Sequence, residues 1–132
     1  MTTPVMFGGI RYDLLRRLLR EEIGRSSAES KGCVFNQPVS ADTDIFDSDL
    51  EPTNPPCIFR VYACFDASGV LSVRRTKDGV TVSEQLNAGS ALVANAAYLF
   101  DIIVDEGETI NLRYSVNATC LKLSVVEISG GA

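Results

Sequence analysis

The sequence predicts a mostly β protein, an antiparallel β-sandwich of jelly-roll-like type with an N-terminal amphipathic α-helix. Three observations carry this expectation. From Val34 onward apolar and polar residues alternate with period two, and turn residues interrupt them every eight to twelve positions, the spacing of sandwiches and jelly rolls. Before that point Ile10, Leu14, Leu15, Leu18, Leu19 and Ile23 recur three and four residues apart, the period of one helix face. The chain is 132 residues long with 45% hydrophobic and 22% charged residues, which suits one globular domain with a short appendage. The expected division is a helical arm and linker over residues 1–32 and a sandwich domain over residues 33–132.

In the arm, Arg16, Arg17, Arg20 and Glu21 fall largely between the apolar positions, which describes a helix of about four turns stopped by Gly24. Residues 25–32 bear Ser, Glu and Gly without periodicity and read as a linker. Residues 40–56 hold Asp42, Asp44, Asp47, Asp49 and Glu51, then Pro52, Pro55 and Pro56, so they form a loop with a short edge strand at Ile45-Phe46. Cys57–Phe65 is an apolar strand, turned by Asp66-Ala67-Ser68-Gly69 into Val70–Thr76.

Asp78-Gly79 is the clearest local signal, because a type I′ turn needs positive φ at both central residues and this dipeptide tolerates it. Pairing outward sets Lys77 opposite Val80, Arg75 opposite Val82, Val73 opposite Glu84 and Leu71 opposite Leu86. One face is then Leu71, Val73, Val82 and Leu86, closed by a diagonal Arg75 and Glu84. Residues 87–95 are small and cross between sheets. Tyr98–Val104 is apolar on one face and mixed on the other, Asp105–Glu108 turns, and Ile110–Val116 alternates strictly. Asn117-Ala118 leads into a last strand, Thr119–Ile128, followed by a tail. Six or seven strands are expected between residues 34 and 128.

Several function classes lack their chemistry. Histidine is absent, which removes His bases, His metal ligands and Ser-His or Cys-His nucleophile pairs. The formal charge of -5 leaves no broad basic surface for nucleic acid. Residues 1–30 carry five bases and four acids, so the acidic excess sits in the sandwich. The start of the chain lacks the pattern of a secretory signal, and no run reaches the ~20 apolar residues of a membrane-spanning helix. Cys33, Cys57, Cys64 and Cys120 form no CxxC pair and are expected to be reduced thiols.

The acidic run of residues 42–51 lacks the order of an EF-hand and reads as a solvated loop, not a calcium site. No aromatic platform accompanies the acids as a glycosidase cleft would need. Gly8-Gly9 follows no strand, so a phosphate loop is not indicated. No catalytic, cofactor-binding or metal-ligating residue is therefore expected. The expected partner-binding residues are the helix stripe Ile10, Leu14, Leu15, Leu18, Leu19 and Ile23, laid in a partner's groove or against its own copies. Packing on its own sandwich is the competing fate of that stripe; a membrane surface fits it less well, because Glu21 and Glu22 dilute the arginines.

From Phe59 to Ile128 the order of Phe59-Arg60-Val61, Gly69-Val70-Leu71-Ser72-Val73, Val82-Ser83-Glu84-Gln85-Leu86-Asn87, Tyr98-Leu99-Phe100-Asp101-Ile102-Ile103-Val104 and Thr109-Ile110-Asn111-Leu112-Arg113-Tyr114-Ser115 resembles small β-sandwich structural proteins of tailed bacteriophages and related viruses. The resemblance implies a non-enzymatic virion protein without cofactor, a capsid decoration or cement subunit or one at a vertex, neck or tail. It implies homotrimers or other symmetric oligomers, contact with the major capsid protein or other virion proteins, and assembly in the host cytoplasm. The N-terminal helix departs from the simplest decoration proteins. The competing class is a sandwich module that binds carbohydrate or a host surface molecule.

Overall fold

The computed structural model describes residues 6–7, 10–11 and 26–130. The chain divides into two compact units, residues 1–27 with 130–132, and residues 28–129. In the first, Met6–Phe7 (β1) and Ile10–Arg11 (β2) pair antiparallel, with Phe7 opposite Ile10. Ile10, the first member of the expected helix stripe, is thus a strand residue. A strand, β1, therefore precedes Gly8-Gly9 where the sequence predicts none; two residues are too short a run for alternation to mark as a strand. Leu14, Leu15, Leu18, Leu19 and Ile23 lie outside the described residues. Among the described residues the only helical element is a 3-10 turn at Asn87–Gly89.

Seven longer strands follow: Ser26–Val39 (β3), Cys57–Phe65 (β4), Leu71–Lys77 (β5), Val80–Gln85 (β6), Tyr98–Val104 (β7), Thr109–Tyr114 (β8) and Ala118–Gly130 (β9). They make two antiparallel sheets, ordered β3-β9-β4-β7 and β6-β5-β8. Residues 42–50 extend the second sheet along the free edge of β8. There the Asp42 and Ile45 amides donate to the Tyr114 and Leu112 carbonyls at 2.7 and 2.8 Å, and Leu50 exchanges both bonds with Ile110. The short edge strand expected at Ile45-Phe46 does not form: the segment meets β8 through isolated bridges at Asp44 and Leu50 and bends between them, because the Asn111 side chain takes the Phe46 amide and carbonyl in place of a neighbouring backbone.

The inward residues of both sheets form one core. Phe59, Val61, Ala63 and Phe65 of β4 meet Leu71 and Val73 of β5, Ile110, Leu112 and Tyr114 of β8, and Leu123 and Val125 of β9. Each such large side chain stabilises the fold by about 1.5–3 kcal/mol when fully buried. Where β4 and β8 end, the Phe65 and Tyr114 rings stack with centroids 3.8 Å apart, and the Tyr114 hydroxyl donates to the Ala67 carbonyl at 2.6 Å. Gly69 lies against this ring: a Cβ there would come within 2.8 Å of it, so any larger residue collides.

The Asp-Gly hairpin forms in the expected register, with Asp78 at φ 52° and Gly79 at φ 77°. Leu71 and Val73 are buried, but Val82 on the same face is 50% exposed. The reason is position: β6 is an edge strand, and every residue in it is exposed. Two further differences concern ends. Residues 26–32, read as linker, belong to β3, and Ser129–Gly130, read as tail, continue β9. Both segments are polar or small, so their strand state comes from backbone pairing that side-chain alternation does not report.

Candidate interaction surface

The outward face of the four-stranded sheet is built by alternation. On β7, Tyr98, Phe100 and Ile102 pack toward the core, which leaves Leu99, Asp101 and Ile103 pointing away. On β4, burial of Phe59, Val61 and Ala63 leaves Ile58, Arg60 and Tyr62 on the same outer side. The register then sets Ile58 opposite Ile103, Arg60 opposite Asp101 and Tyr62 opposite Leu99. From the other side β9 places Ile128, Val126 and Ser124 beside Ile58, Arg60 and Tyr62.

This face is apolar with one charge pair at its middle. Leu99 and Ile103 are 61% and 67% exposed. The Arg60 guanidinium grips Asp101 with two parallel bonds, Nε to Oδ1 at 2.9 Å and Nη2 to Oδ2 at 3.0 Å. These bonds hold the Asp101 carboxyl below its ordinary range and push the Arg60 pKa up. Lys122 reaches over the Tyr62 ring, its Nζ 5.5 Å from the centroid, in cation–π range. Exposed apolar residues around a neutralised charge pair are the composition of a contact surface.

Three polar networks tie the elements of the sandwich together. Arg75 of β5 donates from Nε to Glu84 at 2.7 Å and from Nη1 to the Ile103 carbonyl at 2.6 Å and to Glu108 at 3.1 Å, tying the second sheet to the edge of β7. Asp44 receives the Nε of Arg74 and of Arg113 at 2.9 and 2.7 Å, and Asp49 receives both Arg74 and the Asn111 amide. Burial alone would raise the Asp44 pKa, but the bonds from Arg74 and Arg113 outweigh it and hold the carboxyl low. Asp44 and Asp49 thus direct their oxygens at arginines, and among the described residues no three His, Cys, Asp or Glu side chains are grouped to hold a metal. The third network centres on Glu127, which is 1% exposed and accepts the Thr53 and Asn54 amides at 2.6 and 3.0 Å.

All four cysteines are free thiols; Cys57 and Cys120 are buried, Cys33 is exposed and Cys64 half-buried. Beside the acidic loop an open depression of about 570 Å³ is lined by Lys31, Phe46 and residues 47–51. No helix among the described residues is long and apolar enough to cross a membrane.

Of the expected partner-binding residues only Ile10 is described, in β2. The outward face of β4 and β7 was not singled out from sequence, although its signal is there: Leu99, Asp101 and Ile103 form the mixed face of a strand whose other face is apolar.

No protein-family model matches the chain, and no curated protein matches it in sequence. Among solved structures the chain is similar to the globular domain of zebrafish complement 1qA protein, at 13% identity over 79% of this chain and 93% of that one, with a TM-score of 0.35.

Proposed function

We propose that the chain is a non-enzymatic structural protein of a virion, a capsid decoration or cement subunit that assembles symmetrically on the major capsid lattice, or a subunit at a vertex, neck or tail. The observation that supports this reading is the outer face of β4 and β7, where Leu99 and Ile103 stand exposed on the sandwich. A face of this kind gains free energy by being covered. The connectivity fits as well: successive segments alternate between the two sheets, β3, residues 42–50, β4, the β5–β6 hairpin, β7, β8 and β9, in the manner of a jelly roll. The oligomer is a homotrimer or another symmetric set, and its further partners are the major capsid protein or other virion proteins.

The test is light scattering of the full chain, followed by incorporation into particles assembled with its capsid protein. Leu99→Asp with Ile103→Asp is expected to leave the circular dichroism spectrum unchanged while incorporation falls to background. The same readout with Leu15→Asp and Leu18→Asp reports whether the N-terminal stripe anchors the subunit. Undiminished incorporation of both double variants would sink the reading.

The second reading is a module that binds carbohydrate or a host surface molecule, and the depression beside residues 47–51 favours it. A glycan array on the full chain decides: specific binding abolished by Asp47→Ala with Glu51→Ala would replace the structural reading.

A further inference from the structure

We infer that the outer face of β4 and β7 is a self-complementary contact that pairs two copies of this chain across a two-fold axis running along the strands, between β4 and β7. The inference rests on the self-assembly reading above and adds its geometry.

The face is a block of two columns and three rows: Ile58 and Ile103, Arg60 and Asp101, Tyr62 and Leu99. Charge selects the way two such blocks can meet. A two-fold axis across the strands sets Arg60 on Arg60 and Asp101 on Asp101. An axis along β4 itself again opposes the two Arg60 side chains. An axis along the strands but between the columns sets Arg60 on the partner's Asp101 and Asp101 on the partner's Arg60, so each bidentate pair gains an opposite charge across the interface. In that same arrangement Ile58 meets the partner's Ile103 and Tyr62 meets the partner's Leu99. The middle row then sets acid on base, and the outer rows set Ile58 on Ile103 and Tyr62, with Lys122 over its ring, on Leu99, so that each row meets its complement as an isologous contact demands of one surface.

The charge of the whole chain points to the same face. Each copy carries a formal charge of -5 and repels another, but the outward residues here are Arg60, Asp101 and Lys122 with otherwise uncharged neighbours. The acidic excess of the sandwich lies elsewhere, so two copies approach here against the least repulsion. Aligned packing of two sheet faces accommodates the sheet twist with a crossing angle of about 30°. Such a contact closes a dimer by itself and joins rings in pairs where another interface builds a ring.

Sedimentation equilibrium of the full chain, with charge reversals used as a lock and key, tests this. Arg60→Asp alone and Asp101→Arg alone each place like charges across the axis and are expected to raise the dissociation constant about tenfold or more. An equimolar mixture of the two variants is expected to regain wild-type affinity as a heterodimer, because the introduced carboxylate of one copy faces the introduced guanidinium of the other. The recovery also shows that both variants are folded. If the wild type associates but neither reversal weakens it, or if the mixture regains nothing, this interface is overturned while the self-assembly reading stands. A wild type that stays monomeric at every concentration overturns the contact, and self-association in solution with it.

Discussion

Glu127 lies on the inward face of β9, nearly sealed from solvent, with both oxygens committed to the backbone amides of Thr53 and Asn54. Lys31 of β3 supplies the countercharge 3.5 Å away while donating to the Thr53 hydroxyl at 2.6 Å. One carboxylate therefore fixes the proline-rich segment before β4 and the packing of β3 at once. Burial pushes its pKa up, yet the two amides and Lys31 outweigh burial and hold it below the ordinary 4.5. A lowered native value means that the unfolded chain takes up the proton first. The stabilisation is thus complete above about pH 5 and is lost as pH falls through the ordinary range and then through the native value. Glu127→Gln is expected to cost about 2 kcal/mol at about pH 7, a gap that narrows below about pH 4. Urea unfolding at the two pH values measures it; equal losses at both would remove the ionised carboxylate from the explanation. The thiols give a second residue-scale expectation. Burial pushes Cys120 up to about 12 and, aided by nearby Glu127, Cys57 up to about 11, so neither holds a useful thiolate fraction at neutral pH. A thiol reagent should titrate Cys33 and then Cys64 in the native protein, and Cys57 and Cys120 only after denaturation.

Among the elements, residues 42–50 depart furthest from what their composition suggests. Five acids within ten residues describe a solvated loop, and all but Asp44 do stay exposed. Asp44 and Asp49 nevertheless converge on Arg74, whose side chain is 14% exposed, and the backbone between them runs along β8. Asn111 completes the attachment. It is 1% exposed, accepts the Phe46 amide at 3.1 Å and donates to the Phe46 carbonyl at 2.9 Å, acting toward that residue as a strand neighbour would. Removing the guanidinium should release this ribbon without unfolding the sheet behind it. Arg74→Ala is expected to speed hydrogen exchange at the Asp42 and Ile45 amides about tenfold or more while leaving β4 and β9 protected. Uniform acceleration across the domain would mean that the ribbon unfolds only with the whole. The hairpin at Asp78-Gly79 is the opposite case: its register was legible because two adjacent residues determine the turn and the turn determines every pair beyond it. In the arm, the three- and four-residue spacing from Ile10 to Ile23 says which residues would share a helix face; Ile10 is the one member of that stripe among the described residues, and it pairs with Phe7 as a strand residue.

At the scale of the whole molecule, the sandwich joins a sealed core to an outer face that stays apolar at Leu99 and Ile103, and self-assembly is proposed from that contrast. Alternation along Cys57–Phe65 and Tyr98–Val104 states which residues share a side, and for both strands it was readable residue by residue. Alternation does not state which strand lies beside which. That Arg60 grips Asp101 across 41 positions, or that Glu127 reaches Thr53 across 74, follows from strand order, which depends on contacts distant in sequence. Nor does alternation separate a central strand from an edge. Val82 fits the pattern of a buried residue and is half exposed because β6 has no neighbour on its far side, while Asn111 fits the pattern of an exposed one and is buried because residues 42–50 cover it. The amino-acid sequence by itself therefore determined the class of the domain, its strands from β4 onward and the register of its central hairpin, since each rests on neighbours within a few positions. Only the tertiary structure decided the sheet order, the docking of the acidic ribbon and the composition of the outer face, because each is set by pairings between residues far apart in the chain.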